Sequence, residues 1–521
     1  MHRSLREVGW WGLLVLLACA AYAPIMADLF VSDDFTLVRA ARDSGPLAVW
    51  SGPHSLAPWF FRPLISFSFF VDYRLWGLKA VGYHLTNIVF HATNAFLVHR
   101  IATALRLDRG SSLAAALLFL FLPAHAESVS WIAGRTDVIA ATFGLAAFAT
   151  YLRYVEAGEP STFVATLAFL FVGLAAKESI AAVPLVMLCH SVISAEQRRR
   201  ALRLSLTACA AIVPYIVIRR WAVGGWVGGY GQSHLNHDPR FLSLNVQAYL
   251  IHVLGFGIAP HGLGAWPLVI RISAIGIAIS LLALTVLAVK DRVWRLSETR
   301  RRLAFLTLAF FVTALPSINL AVAATGTEGE RYLYLPSVWV TIVLAALIRP
   351  AMEHPLRIAV LALLLLGFIG ALTARNQDWH QASVLCRNIV DDIKTAPRSD
   401  VLYVLDMPDD VHDAYVFRNS VWEALGLLEP TANFPNVYLV AYRRLLGDTH
   451  PIRFARHGDD ISLSLPEDGD TFEYWNLLSP STKTYTLTTH APRELTAHFH
   501  PTGTALYYAF GDGHLHLIPD N

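Results

Sequence analysis

Residues 10–35 read WWGLLVLLACAAYAPIMADLFVSDDF, an apolar run that ends in two adjacent carboxylates. The apolar part, Trp10 to Phe30, is long enough to cross a bilayer, for which about 20 residues are needed. Charged groups at the mouth of a membrane helix are costly to place and often mark a functional site. Asp33 and Asp34 are therefore the first candidate site residues. The alternative is that they begin a solvated loop and cap the next helix.

The composition of the whole chain indicates a polytopic membrane protein. Of its 521 residues, 55% are hydrophobic and 15% are charged, whereas soluble domains carry roughly 25% charged residues. The four cysteines are scattered and predict neither a disulfide framework nor a metal site. Arginine clusters flank apolar runs, so we expect membrane lipids around the chain and no nucleic-acid partner.

Apolar runs of spanning length recur along the first three quarters of the chain. They cover residues 10–30, 82–105, 111–132, 136–155, 161–176, 178–194, 203–221, 267–289, 303–324, 332–348 and 355–374. Two further segments, 60–78 and 243–263, are apolar but broken, and we expect them to lie along the outer face or dip into it. The prediction is a mainly α membrane helix bundle with about eleven spanning helices.

Lysines and arginines between these runs set the orientation, because they collect in cytoplasmic loops. Their distribution predicts a cytoplasmic N-terminus and an external, periplasmic C-terminus in an inner (plasma) membrane. Arg3 and Arg6 before the first run also resemble the start of a signal peptide. That run is longer than the apolar part of such peptides, so we expect an uncleaved first helix.

The chain changes character near Arg375, which divides it into a membrane domain, residues 1–375, and a small external α+β domain, residues 376–521. Alternating apolar residues at Ile461–Leu465, Thr484–Thr488 and Ala505–Phe510 predict strands. Asp512-Gly513 predicts a hairpin turn after the last of these strands. The external domain is expected to be helical near its start and β-rich toward its end.

With this orientation, the unusual polar residues beside the apolar runs gather at the outer face. They are Arg62, His84, Asn87, His91, His125, Glu127, Arg135, Asp137, Lys177, Glu178, Arg220, Glu330, Arg331 and Tyr332. Singly, each has an ordinary explanation as a loop ion pair or a packing residue. Together, the carboxylates could act as a general base and the arginines could bind phosphate oxygens. This chemistry suits a donor that carries a sugar on a lipid phosphate.

Several short motifs also resemble one known family, in the family's order. They are Asp33-Asp34-Phe35, Phe61-Arg62-Pro63-Leu64, GYHLTN at 82–87 with His91, PAHAESVSWIAGRTD at 123–137, Ala176-Lys177-Glu178-Ser179, ERYLYLP at 330–336, and Arg375-Asn376 with Trp379. The membrane half resembles the transmembrane O-mannosyltransferases that carry tetratricopeptide repeats and their bacterial relatives, within the GT-C superfamily of glycosyltransferases. After Thr373 the chain departs from them, because it lacks repeats with a period of about 34 residues.

The resemblance implies a GT-C fold and an inverting sugar transfer from a polyprenyl phosphate to an acceptor on the external face. It implies that Asp33 and Asp34 are catalytic. The proposed donor-phosphate ligands are Arg331, Arg135 and Arg62, followed by Lys177 and Arg220. A divalent metal is possible, with Asp33, Asp34, His125 and Glu127 as candidate ligands.

Two other functions remain open: a transporter or lipid flippase, and a non-catalytic membrane scaffold. A transporter is disfavoured because no paired broken helices recur in two halves of the chain. The sugar and the acceptor, whether protein, lipid or glycan, stay undetermined. In an extended loop, the side chains of Asp33 and Asp34 would point in opposite directions, so only one could serve as the base. The neighbouring Phe35, as an interfacial anchor, favours Asp34.

The orientation is tested by a topology reporter fused after Asn521. We expect activity from a reporter that works only outside the cytoplasm and none from a reporter that works only in the cytoplasm, because the arginine-rich loops are predicted to be cytoplasmic. Cytoplasmic reporter activity there would reverse the placement of every candidate site residue.

Overall fold

The computed structural model describes residues 2–50, 52–226, 238–256, 268–290, 297–320, 326–348, 355–418, 420–430, 434–445, 452–465, 470–473, 481–482, 484–501 and 503–519. The chain divides into two compact units. The first comprises Met1–Met26 and Ala40–Asn376, and the second comprises Ala27–Arg39 and Gln377–Asn521. The sequence-based division placed Ala27–Arg39 in the membrane domain, whereas here this segment belongs to the second unit.

The chain is mainly helical, as the apolar runs predicted. In chain order, the described helices are α1 (His2–Ala21), α2 (Asp33–Asp43), α3 (Pro63–Trp76), α4 (Ala80–Ala104), α5 (Arg109–Phe121), α6 (Ala126–Ser130), α7 (Arg135–Ala157), α8 (Pro160–Ala176), α9 (Ala182–Ile193), α10 (Arg198–Ala210), α11 (Ile212–Val223), α12 (Pro239–Val253), α13 (Leu268–Lys290), α14 (Ser297–Ala314), α15 (Tyr334–Ile348), α16 (Pro355–Thr395) and α17 (Val421–Leu428). Each predicted apolar run falls largely on one or two of these helices.

Within the described residues, five helical segments are long and apolar enough to cross a membrane. They are Ile132–Ala157, Arg198–Val223, Leu268–Lys290, Glu330–Ile348 and Pro355–Thr395, and a bent pair, Arg109–Phe121 with Pro123–Ser130, would make a sixth. The chain is thus an integral membrane protein. The number of about eleven crossings and the orientation stay predictions.

The bend after α5 has a local cause in the sequence. Leu122 adopts an extended conformation and Pro123 follows it, because a residue before proline is pushed out of the helical region and proline has no N–H to donate. The two helical pieces meet at 54°. The bend carries His125 and Glu127 away from the direction of α5 and into the interior of the first unit, where both are buried.

Gly134 allows the chain to turn tightly between α6 and α7. A Cβ atom at this position would lie 2.5 Å from the carbonyl oxygen of Glu127 and 2.7 Å from that of Ser128. Only glycine fits such a close backbone approach. The turn therefore fixes the position of Glu127 relative to the start of α7, which begins at Arg135.

The second unit contains the described strands. They are β1 (Val401–Val404), β2 (Met407–Val411), β3 (Ala414–Tyr415), β4 (Asn436–Leu439), β5 (Tyr442–Leu445), β6 (Arg453–His457), β7 (Asp460–Ser464), β8 (Thr471–Glu473), β9 (Ser481–Thr482), β10 (Tyr485–Ala491), β11 (Glu494–Phe499), β12 (Ala505–Gly511) and β13 (His514–Leu517). They form three sheets, ordered β13-β12-β1-β4, β6-β7-β11-β10-β9 and β3-β2-β5-β8.

The strands predicted from alternation are present. β7, β10 and β12 cover the three alternating stretches, and β12 and β13 pair antiparallel around the turn at Asp512-Gly513. Asp512 and Gly513 both have positive φ angles, 48° and 84°, as a two-residue hairpin of this type requires. The unit is helical at its start, because α16 continues to Thr395, but strands begin as early as Val401.

Candidate functional site

The acidic pair does not lie in an extended loop, so that expectation is wrong. Asp33 and Asp34 are the first two residues of α2, where carboxylates are favoured by the partial positive charge of the helix N-terminus. Successive helical residues are rotated by about 100°, so the two side chains diverge without being opposed. Ser32, just before them, has a φ angle of +47°, which is unusual for a residue with a side chain.

The two carboxylates have different environments. Asp34 is 1% exposed, and its Oδ2 accepts a hydrogen bond from the Val31 backbone N–H at 3.1 Å. It therefore stabilises the turn that leads into its own helix. Asp33 is only half buried. This difference favours Asp33 for contact with a ligand, the opposite of the preference taken from Phe35.

Residues near the far end of the sequence hold the turn before α2. The Ser32 N–H donates to the carbonyl oxygen of Val416 at 2.9 Å, and the Ser420 hydroxyl donates to the carbonyl oxygen of Ser32. The rings of Phe35 and Phe417 stack with centroids 6.0 Å apart. All these residues belong to the second unit. Sequence reasoning missed Val416 and Ser420, because no local pattern marks them.

In the first unit, Arg331 forms an ion pair with Glu127. The Arg331 backbone N–H also donates to the Glu127 carboxylate, at 2.8 Å. The guanidinium lies 5.4 Å from the ring centre of Trp131 and 4.8 Å from that of Tyr332. Its side chain is 16% exposed while that of Glu127 is 3% exposed. Arg331 is thus oriented by a buried carboxylate and keeps some access to solvent.

Lys177 joins this cluster through Tyr332. Its Nζ lies 2.6 Å from the Asp137 carboxylate and 5.3 Å from the ring centre of Tyr332. Arg331 and Lys177 therefore both lie against the same aromatic ring, each with its own carboxylate. The structure brings together five predicted site residues, Glu127, Arg331, Tyr332, Lys177 and Asp137, which we call the Tyr332 cluster.

Glu330 faces a second set of partners. It is fully buried, its Oε1 lies 2.6 Å from His252 Nδ1, and its other carboxylate oxygen pairs with Arg375. His252 was not a predicted site residue. Arg375 was noted only as part of a motif. Glu330 therefore anchors the start of the ERYL turn, Glu330–Leu333, from which Arg331 projects.

Arg62 pairs with Glu178, the residue after Lys177, at 3.0 Å. The guanidinium also lies 3.9 Å from the ring centre of Phe60. His54, in the preceding loop, is 4% exposed, and burial together with the Arg62 charge lowers its pKa to about 3. His54 is therefore neutral at physiological pH. The sequence gave no reason to single it out.

Arg135 occupies a separate, closed position. It is fully buried, its guanidinium pairs with Asp72 at 2.6 Å, and it donates to the carbonyl oxygen of Tyr83 at 3.0 Å. Asp72 also accepts from the Thr86 hydroxyl. Asp72 was missed, although a carboxylate inside the apolar segment 60–78 was a signal for it. The contacts of Arg135 are those of a residue that joins α3, α4 and α7.

The polar residues of α4 also face the interior. The Asn87 amide donates to the carbonyl oxygens of Val129, Trp131 and Ile132, each at 3.2 Å, and so holds the turn after α6. His91 bonds the Tyr334 hydroxyl at 2.7 Å and the Leu120 carbonyl oxygen at 3.0 Å.

The imidazole of His125 lies beside the same tyrosine. Its Nε2 is 2.8 Å from the Ser337 hydroxyl, and its ring centre is 4.5 Å from that of Tyr334. His84 is 2% exposed. The predicted histidines therefore lie in the interior of the first unit, as hydrogen-bonded or closely packed groups.

Arg220 lies apart from the Tyr332 cluster. It is exposed on α11, and its guanidinium lies 5.6 Å from the ring centre of Trp226. The neighbouring Arg219 is buried and donates to the carbonyl oxygens of Trp59 and Gly225, both at 2.8 Å. Among the residues that the structure describes, no group of three or more His, Cys, Asp or Glu side chains could hold a metal ion.

Comparison with known proteins finds relatives among the O-mannosyl-transferases. No family model matches the chain. It is 35% identical over 152 residues to protein O-mannosyl-transferase TMTC3 of Mus musculus, covering 27% of this chain and 16% of that protein. It is 32% identical over 186 residues to Tmtc1 of Drosophila melanogaster, covering 33% and 21%. The resemblance to O-mannosyltransferases drawn from the sequence motifs is confirmed. The chain spans about a fifth or less of the length of these relatives.

Two solved structures cover more of the chain at lower similarity. ArnT from Cupriavidus metallidurans, bound to undecaprenyl phosphate, is 14% identical over 94% of this chain and 98% of that one, with a TM-score of 0.36. The apo state of ArnT gives a TM-score of 0.42 at the same identity and coverage. At TM-scores below 0.5 these likenesses support no inference about this chain.

The structural role of Arg135 is tested by two variants. Arg135→Met should leave the buried Asp72 without its main partner and cost about 3 to 5 kcal/mol of stability, whereas Arg135→Met with Asp72→Leu should recover much of that loss. Thermal unfolding of the purified full-length protein in detergent measures both. If Arg135→Met unfolds at the temperature of the unmodified protein, the ion pair does not stabilise the fold.

Proposed function

We propose that this chain is an integral-membrane glycosyltransferase. It transfers a sugar from a polyprenyl-phosphate donor to an acceptor at the external face of the inner (plasma) membrane. The observation that carries the proposal is the carboxylate pair at the N-terminus of α2, held by a strained turn in a chain similar to O-mannosyl-transferases. Strained backbone conformations persist only where the surrounding structure imposes them, and they cluster at functional sites.

Asp33 is proposed as the general base that accepts the proton of the acceptor hydroxyl. Its side chain is less buried than that of Asp34, whose carboxylate accepts a hydrogen bond from the Val31 N–H. Asp34 then sets the position of the turn. The lipid phosphate is already a good leaving group, so the protein needs to position the attacking hydroxyl and stabilise the charge that develops on the phosphate.

Arg331 is proposed as the principal ligand of the donor phosphate. It is the more exposed of the two cations in the Tyr332 cluster, and its ion pair with the buried Glu127 orients its guanidinium. A guanidinium offers a planar pair of donors that matches two phosphate oxygens. Lys177 adds a second positive charge, because its ammonium group contacts the same Tyr332 ring as Arg331. Arg62 and Arg220 rank below them, and Arg135 is proposed to position helices without touching the donor.

The transporter or flippase alternative differs in its product. A transporter would move a lipid or solute and leave the bond between sugar and phosphate intact, while a scaffold would do neither. The test uses purified full-length protein in liposomes with polyprenyl-phosphate mannose. The acceptors are a serine- and threonine-containing peptide, a glycolipid and a soluble oligosaccharide. Release of free polyprenyl phosphate together with a mannosylated acceptor supports the proposal. Flipping of the intact donor without cleavage would favour the transporter.

The acidic pair is tested by single Asp→Asn changes. Asp33→Asn removes the proton acceptor at constant size, so transfer should fall about a hundredfold or more. Asp34→Asn should act more mildly, because an amide oxygen can still accept from the Val31 N–H. Asp43→Asn, at the exposed end of the same helix, is the control and should leave the rate unchanged. Unmodified rates for both Asp33→Asn and Asp34→Asn would remove the basis for an enzyme.

The phosphate role is tested by Arg331→Lys. Lysine keeps the charge and the pairing with Glu127 but loses the planar pair of donors, so the KM for the lipid donor should rise and transfer should fall about tenfold or more. Arg153→Lys, an exposed arginine paired with Glu159, is the matched control. Donor kinetics measured with varied polyprenyl-phosphate mannose decide the question. Unchanged kinetics for Arg331→Lys would assign this arginine to packing alone.

A further inference from the structure

We propose that a segment of the second unit, Val416, Phe417 and Ser420, is a positioning clamp for the acidic pair. This inference rests on the proposed function, because the clamp is given its role by the carboxylates it holds. The second unit carries the proposed base, Asp33, within its segment Ala27–Arg39, and its strand-bearing part fixes the backbone from which that base projects.

The clamp acts at the one strained residue of the turn. Ser32 has a left-handed φ angle of +47° and is completely buried. Residues with a side chain rarely adopt this conformation unless the surrounding structure imposes it. The hydroxyl of Ser32 has no hydrogen-bond partner among the described residues, so its own side chain does not stabilise the conformation. Support has to come through the backbone of Ser32.

Both backbone groups of Ser32 are bonded to the clamp. Its N–H donates to Val416 O at 2.9 Å, and its carbonyl oxygen accepts from the Ser420 hydroxyl. The Ser32 carbonyl oxygen also accepts from the Phe35 N–H at 3.2 Å. These bonds fix the peptide units on either side of Ser32 and therefore the direction in which α2 starts. Asp33 is the next residue, so its carboxylate is placed by the same bonds.

The hydroxyl of Ser420 does not cap the helix that follows it. Ser420 is the N-cap residue of α17, a position where serine normally accepts from a backbone N–H of its own helix. Here the side chain makes no such capping bond and reaches the carbonyl oxygen of Ser32 instead. The hydrogen bond to Ser32 therefore gives the Ser420 hydroxyl a role other than helix capping.

The clamp is itself anchored in the sheet. The Val416 N–H donates to Asp409 O at 2.8 Å and the Phe417 N–H to Pro408 O at 3.2 Å. Both acceptors lie on β2. Phe417 stacks on Phe35 with an interplanar angle of 18°. The clamp is therefore linked to β2 by backbone bonds, and to the start of α2 by one backbone bond, the Ser420 hydroxyl and one aromatic contact.

The segment that carries the pair has a second anchor upstream. The Leu29 N–H donates to the Ser383 hydroxyl at 2.7 Å, and Asp28 lies 2.6 Å from His380. Ser383 and His380 both lie on α16. The segment is thus fixed before and after the turn, so removing the clamp should loosen the turn without releasing the whole segment. This predicts a selective effect on catalysis.

The experiment compares three variants of the full-length protein in detergent or liposomes. Ser420→Ala removes the hydroxyl that bonds Ser32. Ser32→Gly combined with Ser420→Ala should restore the conformation of the turn. Glycine adopts the left-handed conformation without strain, and the Ser32 hydroxyl makes no described hydrogen bond. Thr488→Ala, which removes an exposed hydroxyl elsewhere in the same unit, is the control.

The first readout is amide hydrogen exchange of the peptides that cover residues 27–39, which requires no catalytic activity. Ser420→Ala should speed exchange there, and Thr488→Ala should not. The second readout is transfer from polyprenyl-phosphate mannose. Ser420→Ala should lower kcat by roughly tenfold or more, because a small displacement of the base is costly, and leave the KM for the donor unchanged. The double variant should recover most of the lost rate.

Unchanged exchange at residues 27–39 in Ser420→Ala would overturn the clamp, whatever the activity. So would faster exchange with an unchanged kcat, since the turn would then be loosened without consequence. Absence of transfer in the unmodified protein would overturn the proposed function instead, and the exchange result would still decide whether the clamp holds the turn.

Discussion

Charge burial is the constraint on which the first unit depends. Moving an isolated charge into a helix bundle costs several kcal/mol, and pairing recovers that cost only when the geometry is good. The first unit meets this demand with one carboxylate for each of four cations, Asp72 for Arg135, Asp137 for Lys177, Glu178 for Arg62 and Glu127 for Arg331, and with backbone carbonyl oxygens for the buried Arg219. Each pair joins residues from different helices or turns. These pairs therefore constrain how the helices are arranged, and of the four cations Arg331 has the most exposed side chain.

In the second unit, hydrogen bonds to the backbone of Ser32 hold the start of α2. The turn that begins α2 is held by the Ser32 N–H, which donates to the carbonyl oxygen of Val416, and by the Ser420 hydroxyl, which donates to the carbonyl oxygen of Ser32. Backbone bonds hold direction more tightly than a pair of long charged side chains does. A general base needs this accuracy, since proton transfer depends on the position of the carboxylate relative to the acceptor hydroxyl. The acidic pair is thus positioned through its backbone, whereas the cations of the Tyr332 cluster are positioned through paired side chains.

The sequence predicted the elements better than it predicted their contacts. Apolar runs located the helices, and the alternation at Ala505–Phe510 with Asp512-Gly513 located a hairpin, because both signals are local. The acidic pair was expected in an extended loop and instead begins α2, since two adjacent aspartates fit a loop and a helix start equally well. The partners of Arg135 and Ser32 lie 63 and 384 positions away, respectively (135 − 72 and 416 − 32). No periodicity connects residues at such separations, so Asp72, Val416 and Ser420 were missed.

The contact between Ser32 and Ser420 spans 388 positions of the chain, and this separation has a consequence for biosynthesis. The acidic pair leaves the ribosome long before the hydroxyl that fixes its turn, which is made only after the described helices of the first unit have been synthesised. Long-range contacts of this kind form late, after the intervening segments are in place. A chain arrested before Ser420 would carry both aspartates without the conformation that orients them. Synthesis of the segment around Ser420 is therefore the step that allows the turn before the acidic pair to take its final conformation.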